Sequence, residues 1–180
     1  MEEKYIGHVN SETKEIQSLK AHLENVRYLA EKNCPLELFR YIAQATALLH
    51  DMGKTRQEFQ DYMNDILDHG EHAIHRQLDH SSAGGLFVED MTKFRSISSL
   101  IGTAIYAHHG LQDCIDTESG AGLAEKRRAK ETDYEEIKNR YLQIVDKKEL
   151  HDLLVQANRD WQKIYQHASA GIDGQPHLRL

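Results

Sequence analysis

Apolar residues recur at helical intervals along most of the chain. From Ser11, which reads as an N-cap, Ile16, Leu19, Leu23, Val26 and Leu29 follow at steps of three and four, one stripe of an amphipathic helix. Pro35 interrupts the stripe and suits the first position of a second helix. Its apolar side runs through Leu38, Ile42, Ala45 and Leu49 to His50, with Gly53 as the expected C′ residue. A third helix is expected over Thr55 to His69, with Phe59, Tyr62, Met63 and Ile66 inward and Gly70 as its stop. A fourth starts near Ser81, whose hydroxyl is the expected cap. A fifth covers Lys93 to His109, with Phe94, Ile97, Ile101, Ala104, Ile105 and His108 on one side, and Gly110 ends it. Residues 115–135 hold Gly120, Gly122 and the basic cluster Lys126, Arg127, Arg128 and Lys130. They read as a loop or mobile helix with a solvated basic face, contact with DNA being the minority reading. Two further helices are expected over Asp133 to Val145 and Lys148 to Ala168, the second using Leu150, Leu153, Ala157, Trp161 and Ile164. No run of four or more residues alternates apolar with polar as a strand would. The expectation is a single all-α domain.

Composition narrows the class without changing that picture. A chain of 180 residues is one ordinary domain. The longest uncharged run, Ser96 to Gln112, carries serines, a threonine, a glutamine and two histidines, so no membrane span is expected. MEEKYIGHVN lacks a basic region leading into an apolar one, and a cytoplasmic protein is expected. Cys34 and Cys114 are too few for a disulfide framework or a zinc–cysteine cage. The net charge of −7 argues against a dedicated DNA-binding module, which neutralises phosphates with a basic face. It leaves a nuclease open, because bound divalent ions are the strongest local positive charges in a phosphate site.

Histidine is the outlier, with 12 copies. His22 falls on the apolar stripe of the first helix. His50-Asp51 closes the stripe of the second, and His108-His109 that of the fifth. Imidazole with carboxylate suits Mn, Fe, Co, Ni or Zn. Taken singly, each is weak: a lone histidine on an apolar face is more often a hydrogen-bonded core residue. His8, His151, His167 and His177 read as surface residues, and His69, His72 and His75 as a solvated connection.

Their joint context is more informative. LLHDMGKTRQEFQDYM (Leu48 to Met63) resembles the HD metal-dependent phosphohydrolase superfamily. More specifically, it is similar to the HD nuclease domain of the CRISPR-associated nuclease–helicase of type I systems. The family's ordered pieces read here as SLKAHL (Ser18 to Leu23), LLHDMGK (Leu48 to Lys54), DHSSAGG (Asp79 to Gly85) and AHHGLQD (Ala107 to Asp113). The opening YIGHV with EIQSLKAHL resembles the subtype I-C branch in particular.

The resemblance implies an HD-domain helical bundle with room for two divalent ions (Mn, Ni, Co, Fe or Mg). His22, His50 and Asp51 would ligate one, and Asp51, His80, His108 and His109 the other, with Asp51 bridging. Asp51 and Lys54 are the implied catalytic residues, Lys54 toward the scissile phosphate or the leaving oxygen. A solvated turn lysine is the equal alternative for Lys54. The implied reaction is hydrolysis of single-stranded DNA in antiviral defence, with a helicase domain and an RNA-guided surveillance complex as partners and no membrane. The other functions considered are a phosphohydrolase of nucleotides or cyclic dinucleotides and a non-catalytic, metal-stabilised docking module. His109 is followed by GLQDCIDTESG, without the GYP of the cyclic-dinucleotide branch. No GxxxxGK[ST] is present. Residues 1–180 are therefore expected to form one HD nuclease domain, without the helicase that normally follows. GQPHLRL looks like the lead-in to the family's last helix, whose aspartate completes the first site. The nearest imitation is LLVQANRD (Leu153 to Asp160), with Asn158 in the matching place. The His22–His50 site is accordingly expected to lack an anionic ligand and to fill second.

Overall fold

The computed structural model describes residues 5–10, 12–70, 78–92, 95–109, 122–130 and 133–173. Among them are eight α-helices, two short 3-10 turns and one two-stranded antiparallel hairpin. The all-α expectation holds, and the hairpin is a local departure from it. Ser11, His72, His75, Phe94, Gly110, Cys114, Gly120 and His177 lie outside the described residues.

The hairpin pairs β1 (Ile6–Val9) with β2 (Ile16–Ser18). Asn10 closes it, its Oδ1 accepting from the backbone N–H of Glu12 (2.9 Å) and Thr13 (3.0 Å). That is an Asx turn. Glycine occupies an inward strand position at Gly7, where a Cβ would stand 3.2 Å from that of His22, so the apolar alternation that marks a strand never develops. Ile16 consequently belongs to β2 and is exposed, and the first helix, α1 (Leu19–Asn33), starts later than its stripe suggests. Its cap is Ser18, not Ser11: the Ser18 hydroxyl accepts from Ala21 N–H at 3.2 Å. Because that cap starts the helix carrying His22, Ser18→Ala is expected to lower stability by about 1 kcal/mol. Thermal unfolding measures it, and an unchanged midpoint would show that the hairpin alone holds α1 in place.

Helix α2 (Arg40–Leu49) packs along α1 and against the long α8 (Lys147–Asp173). Gly53 is not its C′ residue. The helix ends at His50, still helical in φ and ψ, and Asp51 leads into a 3-10 turn over Met52–Thr55. Gly53 is required there by close approach, since a Cβ would run into the backbone of His80. Helix α3 (Gln57–His69) stops at Gly70, whose positive φ of 59° favours glycine. Helices α4 (Ser82–Met91) and α5 (Arg95–Tyr106) pack face to face, and α7 (Tyr134–Tyr141) locks the 3-10 turn. From α7 the buried Tyr141 hydroxyl donates to Leu48 O (2.8 Å) and Arg140 to Thr55 O (3.2 Å). Thr55 Oγ1 returns a bond to Ile137 O at 3.2 Å.

The main core has Leu19, Leu23, Leu48, Leu49, Phe87 and Ile101 almost wholly buried, and α3 packs Phe59 and Met63 against Val9 of the hairpin in a second, smaller cluster. Trp161 packs on the edge of the main core and donates to Ser96 Oγ at 3.0 Å, a packing role as the sequence suggested. The basic cluster lies on a helix, one of the two expected readings, but its arginines are not simply solvated. Residues Leu123–Lys130 form a helix, α6, lying on α4 and α5, and Arg127 and Arg128 pair with acidic side chains there.

Candidate metal centre

Each functional side chain leaves from a helix start, a helix end or the turn beyond one. His22 sits one turn into α1. His50 and Asp51 stand where α2 breaks into the 3-10 turn. His80 lies just before α4, and His108 and His109 in the turn after α5, not on the helix as the stripe suggested. Every histidine singled out from the sequence for the site converges on Asp51.

Asp51 is buried, and its two oxygens face different histidines. Oδ2 lies 2.9 Å from His22 Nε2 and 3.0 Å from His50 Nε2. Oδ1 lies 3.4 Å from His80 Nε2 and 3.5 Å from His108 Nε2. Two donor sets result that could each hold a metal ion: His22, His50 and Asp51, and Asp51, His80, His108 and His109. The outer nitrogens explain the aim of the inner ones. His50 Nδ1 is 2.7 Å from Ala47 O, His108 Nδ1 2.6 Å from Ile105 O, and His80 Nδ1 3.1 Å from Leu78 O. A carbonyl oxygen only accepts, so each Nδ1 must carry the proton, and in the neutral ring Nε2 presents a lone pair inward. His22 Nδ1 likewise meets Gln17 Oε1 at 3.3 Å.

These inward lone pairs crowd one another. His22 and His50 Nε2 are 3.4 Å apart, and His80 and His109 Nε2 only 2.5 Å. His108 Nε2 is buried and makes no hydrogen bond of ordinary geometry, with Asp51 Oδ1 at 3.5 Å as its charged neighbour. Converging lone pairs around a carboxylate call for a cation among them, so the residues fit divalent ions. Charge agrees. Burial pushes the Asp51 carboxyl up, yet the imidazoles of His108, His22 and His50 outweigh burial and hold it far below the ordinary carboxylate range. Burial lowers His80 to about 4 against the opposing pull of Asp51. His109 is also lowered, by burial and by His108. For His108 burial loses to the Asp51 carboxylate and the Ile105 carbonyl, and its pKa is raised.

Lys54 is no solvated turn lysine. Its ammonium reaches Asp51 Oδ2 (2.9 Å) and Gly7 O (3.1 Å) and lies over the Phe59 ring. Phe59 also backs His80, with ring centroids 5.1 Å apart. Gln60, buried next to it, bonds both Ile6 N–H (2.8 Å) and Lys54 O (2.7 Å), fastening the hairpin to the 3-10 turn.

A family model described as "Cas3, HD domain" matches residues 10–174. The chain belongs to that family. No curated protein and no solved structure matches it. Membership in the Cas3 HD family makes this a metal-binding HD hydrolase, a nuclease of CRISPR systems. No helix among the described residues is long and apolar enough to cross a membrane.

Within this Cas3 HD domain three supporting groups escaped sequence reasoning. Gln17 and Gln60 carried no apolar or metal signal. Asp79 fastens the turn that leads into α4. The Ser81 side chain does not cap α4; instead Asp79 accepts from Ser81 N–H (3.0 Å), Ser81 Oγ (3.0 Å) and Ser82 Oγ (2.8 Å). Burial raises the Asp79 carboxyl, but the Ser82 hydroxyl and the Arg127 charge prevail and lower it to about 2. On α8, Asp160 is buried, pairs with Lys163 at 2.7 Å and belongs to neither donor set, while Asn158 Oδ1 is buried without a hydrogen-bond partner. His8, His69, His151 and His167 are exposed, as expected.

Proposed function

We propose that the chain cuts single-stranded DNA by metal-dependent phosphodiester hydrolysis in type I CRISPR interference. A helicase and an RNA-guided surveillance complex are the partners that present the strand. The observation that carries this reading is the division of Asp51, one oxygen toward His22 and His50 and the other toward His80 and His108. A carboxylate can span two ions about 3.5–4 Å apart, the spacing used for in-line displacement at phosphate. Bound ions supply an activated water and neutralise charge on the phosphate.

The chain's own residues do the rest. Ala47, Leu78 and Ile105 carbonyls hold the imidazoles in the tautomer that ligates. Lys54 uses two of its three ammonium protons on Asp51 and Gly7 and has one left for a phosphate oxygen. Imidazoles outnumber the single carboxylate, which favours Mn, Fe, Co or Ni over Mg, an ion that prefers oxygen ligands. The His80 side has four protein donors against three at His22–His50, and fills first.

The test incubates the chain with Mn²⁺ and labelled single-stranded DNA, duplex DNA, nucleotides and cyclic dinucleotides, alongside a metal titration. Expected are chelator-sensitive cleavage of the single strand, an intact duplex, and one tight ion followed by a weaker one. Hydrolysis confined to the nucleotides or cyclic dinucleotides would move the chain to the phosphohydrolase reading. Bound metal without hydrolysis of any of them would make it a docking module.

A further inference from the structure

Helix α6 carries the basic cluster, and its arginines turn back into the fold. Arg127 pairs with Asp79, and its Nη1 also lies 3.5 Å from Ser82 Oγ. The Arg127 side chain keeps only 14% of its surface exposed and that of Asp79 37%, so the contact is partly shielded on the arginine side while the carboxylate still meets solvent. Asp79 is no free carboxylate either: bonds from Ser81 and Ser82 fold it over the turn that leads from His80 into α4. Arg128 anchors the same helix at a second point, 2.9 Å from Glu89, and Glu89 also accepts from the Tyr106 hydroxyl at 3.1 Å. Tyr106 ends α5, two residues before His108, and its ring fills the space a Cβ at Gly85 would need. Helix α6 thereby grips both stretches that bear the histidines of the four-donor set.

We propose that Arg127 is a positioning residue for the Asp51–His80–His108–His109 subsite, acting through Asp79 to hold the His80 turn. The inference rests on the metal-centre reading. His80 Nε2 stays within reach of Asp51 Oδ1 and His109 because the backbone at Leu78–Ser81 cannot relax, and the Arg127–Asp79 pair is what closes it. Charge set at one remove from a ligand in this way governs ligand orientation and metal affinity.

The test uses the full chain in a His22→Ala background, where the four-donor set is the one left, and follows Co²⁺ binding by its visible absorption. Arg127→Ala is expected to weaken Co²⁺ by about 10- to 100-fold, the range for orienting partners of metal ligands. Arg127→Lys, which keeps a charge for Asp79, is expected to recover most of that loss. Asp79→Asn should reproduce the loss, and adding Arg127→Ala to it should change little more. If Arg127→Ala does not fold, as judged by circular dichroism, the near-isosteric Asp79→Asn carries the measurement. Equal Co²⁺ affinity in parent and variant overturns the proposal. So does a fall in DNA binding with Co²⁺ affinity unchanged, the mark of a phosphate-contacting arginine. A parent chain that binds no Co²⁺ overturns the metal-centre reading and this proposal with it.

Discussion

Asp51→Asn is expected to abolish Mn²⁺-dependent DNA cleavage, on the order of 10³-fold or more, while leaving the helical fold intact. The substitution keeps size and shape but removes the charge and one acceptor oxygen. Both donor sets lose their shared carboxylate at once, because Oδ2 serves His22 and His50 and Oδ1 serves His80 and His108. Losing any single histidine spares the other set, so no histidine variant should match it. The fold survives because Asp51 fills no part of the apolar core, and Lys54, its ammonium partner, keeps the Gly7 carbonyl. Single-turnover cleavage with circular dichroism and metal analysis checks all three points. Near-normal cleavage by Asp51→Asn would remove this cluster from the chemistry.

The largest loss of stability is expected at Gly84. A Cβ there would press into the Leu49 carbonyl, backbone at the end of α2, and stand 3.3 Å from Ile105 Cγ2. Neither neighbour is the free end of a flexible side chain, so helix α4 must move away from α2. Overpacking of this kind costs typically about 1–3 kcal/mol and sometimes more, and Gly84→Ala is expected at or above the top of that range. At about 2–4 °C per kcal/mol for a chain of this size, the midpoint falls by about 10 °C. Gly102→Ala is the control. Its nearest contact would be an ordinary 3.6 Å, to Tyr106, so it should be neutral or gain about 0.5–1 kcal/mol from helix propensity. Equal midpoints for the two variants would show that α4 and α2 do not approach as closely as described. Because Leu49 precedes His50 and α4 follows His80, metal affinity should fall with stability in Gly84→Ala.

The sequence determined the helical class because its apolar residues fall at a period of three to four over most of the chain. It also marked His22, His50, Asp51, His108 and His109, since imidazole on an apolar stripe or at its end is chemically conspicuous, whereas His80 and the grouping of the six came from the resemblance to the HD family. The hairpin was not legible: Gly7 breaks its alternation, and a strand as short as Ile16–Ser18 offers no period to read. Only the tertiary structure decided which Asp51 oxygen faces which histidines, because that depends on the break between α2 and the 3-10 turn and on α4 lying close enough to require Gly53 and Gly84. It likewise turned a basic run into buttressing ion pairs. Arg127 looks solvated in sequence, and Lys54 equally a solvated lysine or one aimed at phosphate, because a charge carries no signal of its partner. Besides the nearby Asp51, Lys54 is held by Gly7 of the hairpin, and Arg127 by Asp79 before α4. Periodicity is a local property that a sequence states directly, whereas pairing across elements exists only once the chain has closed on itself.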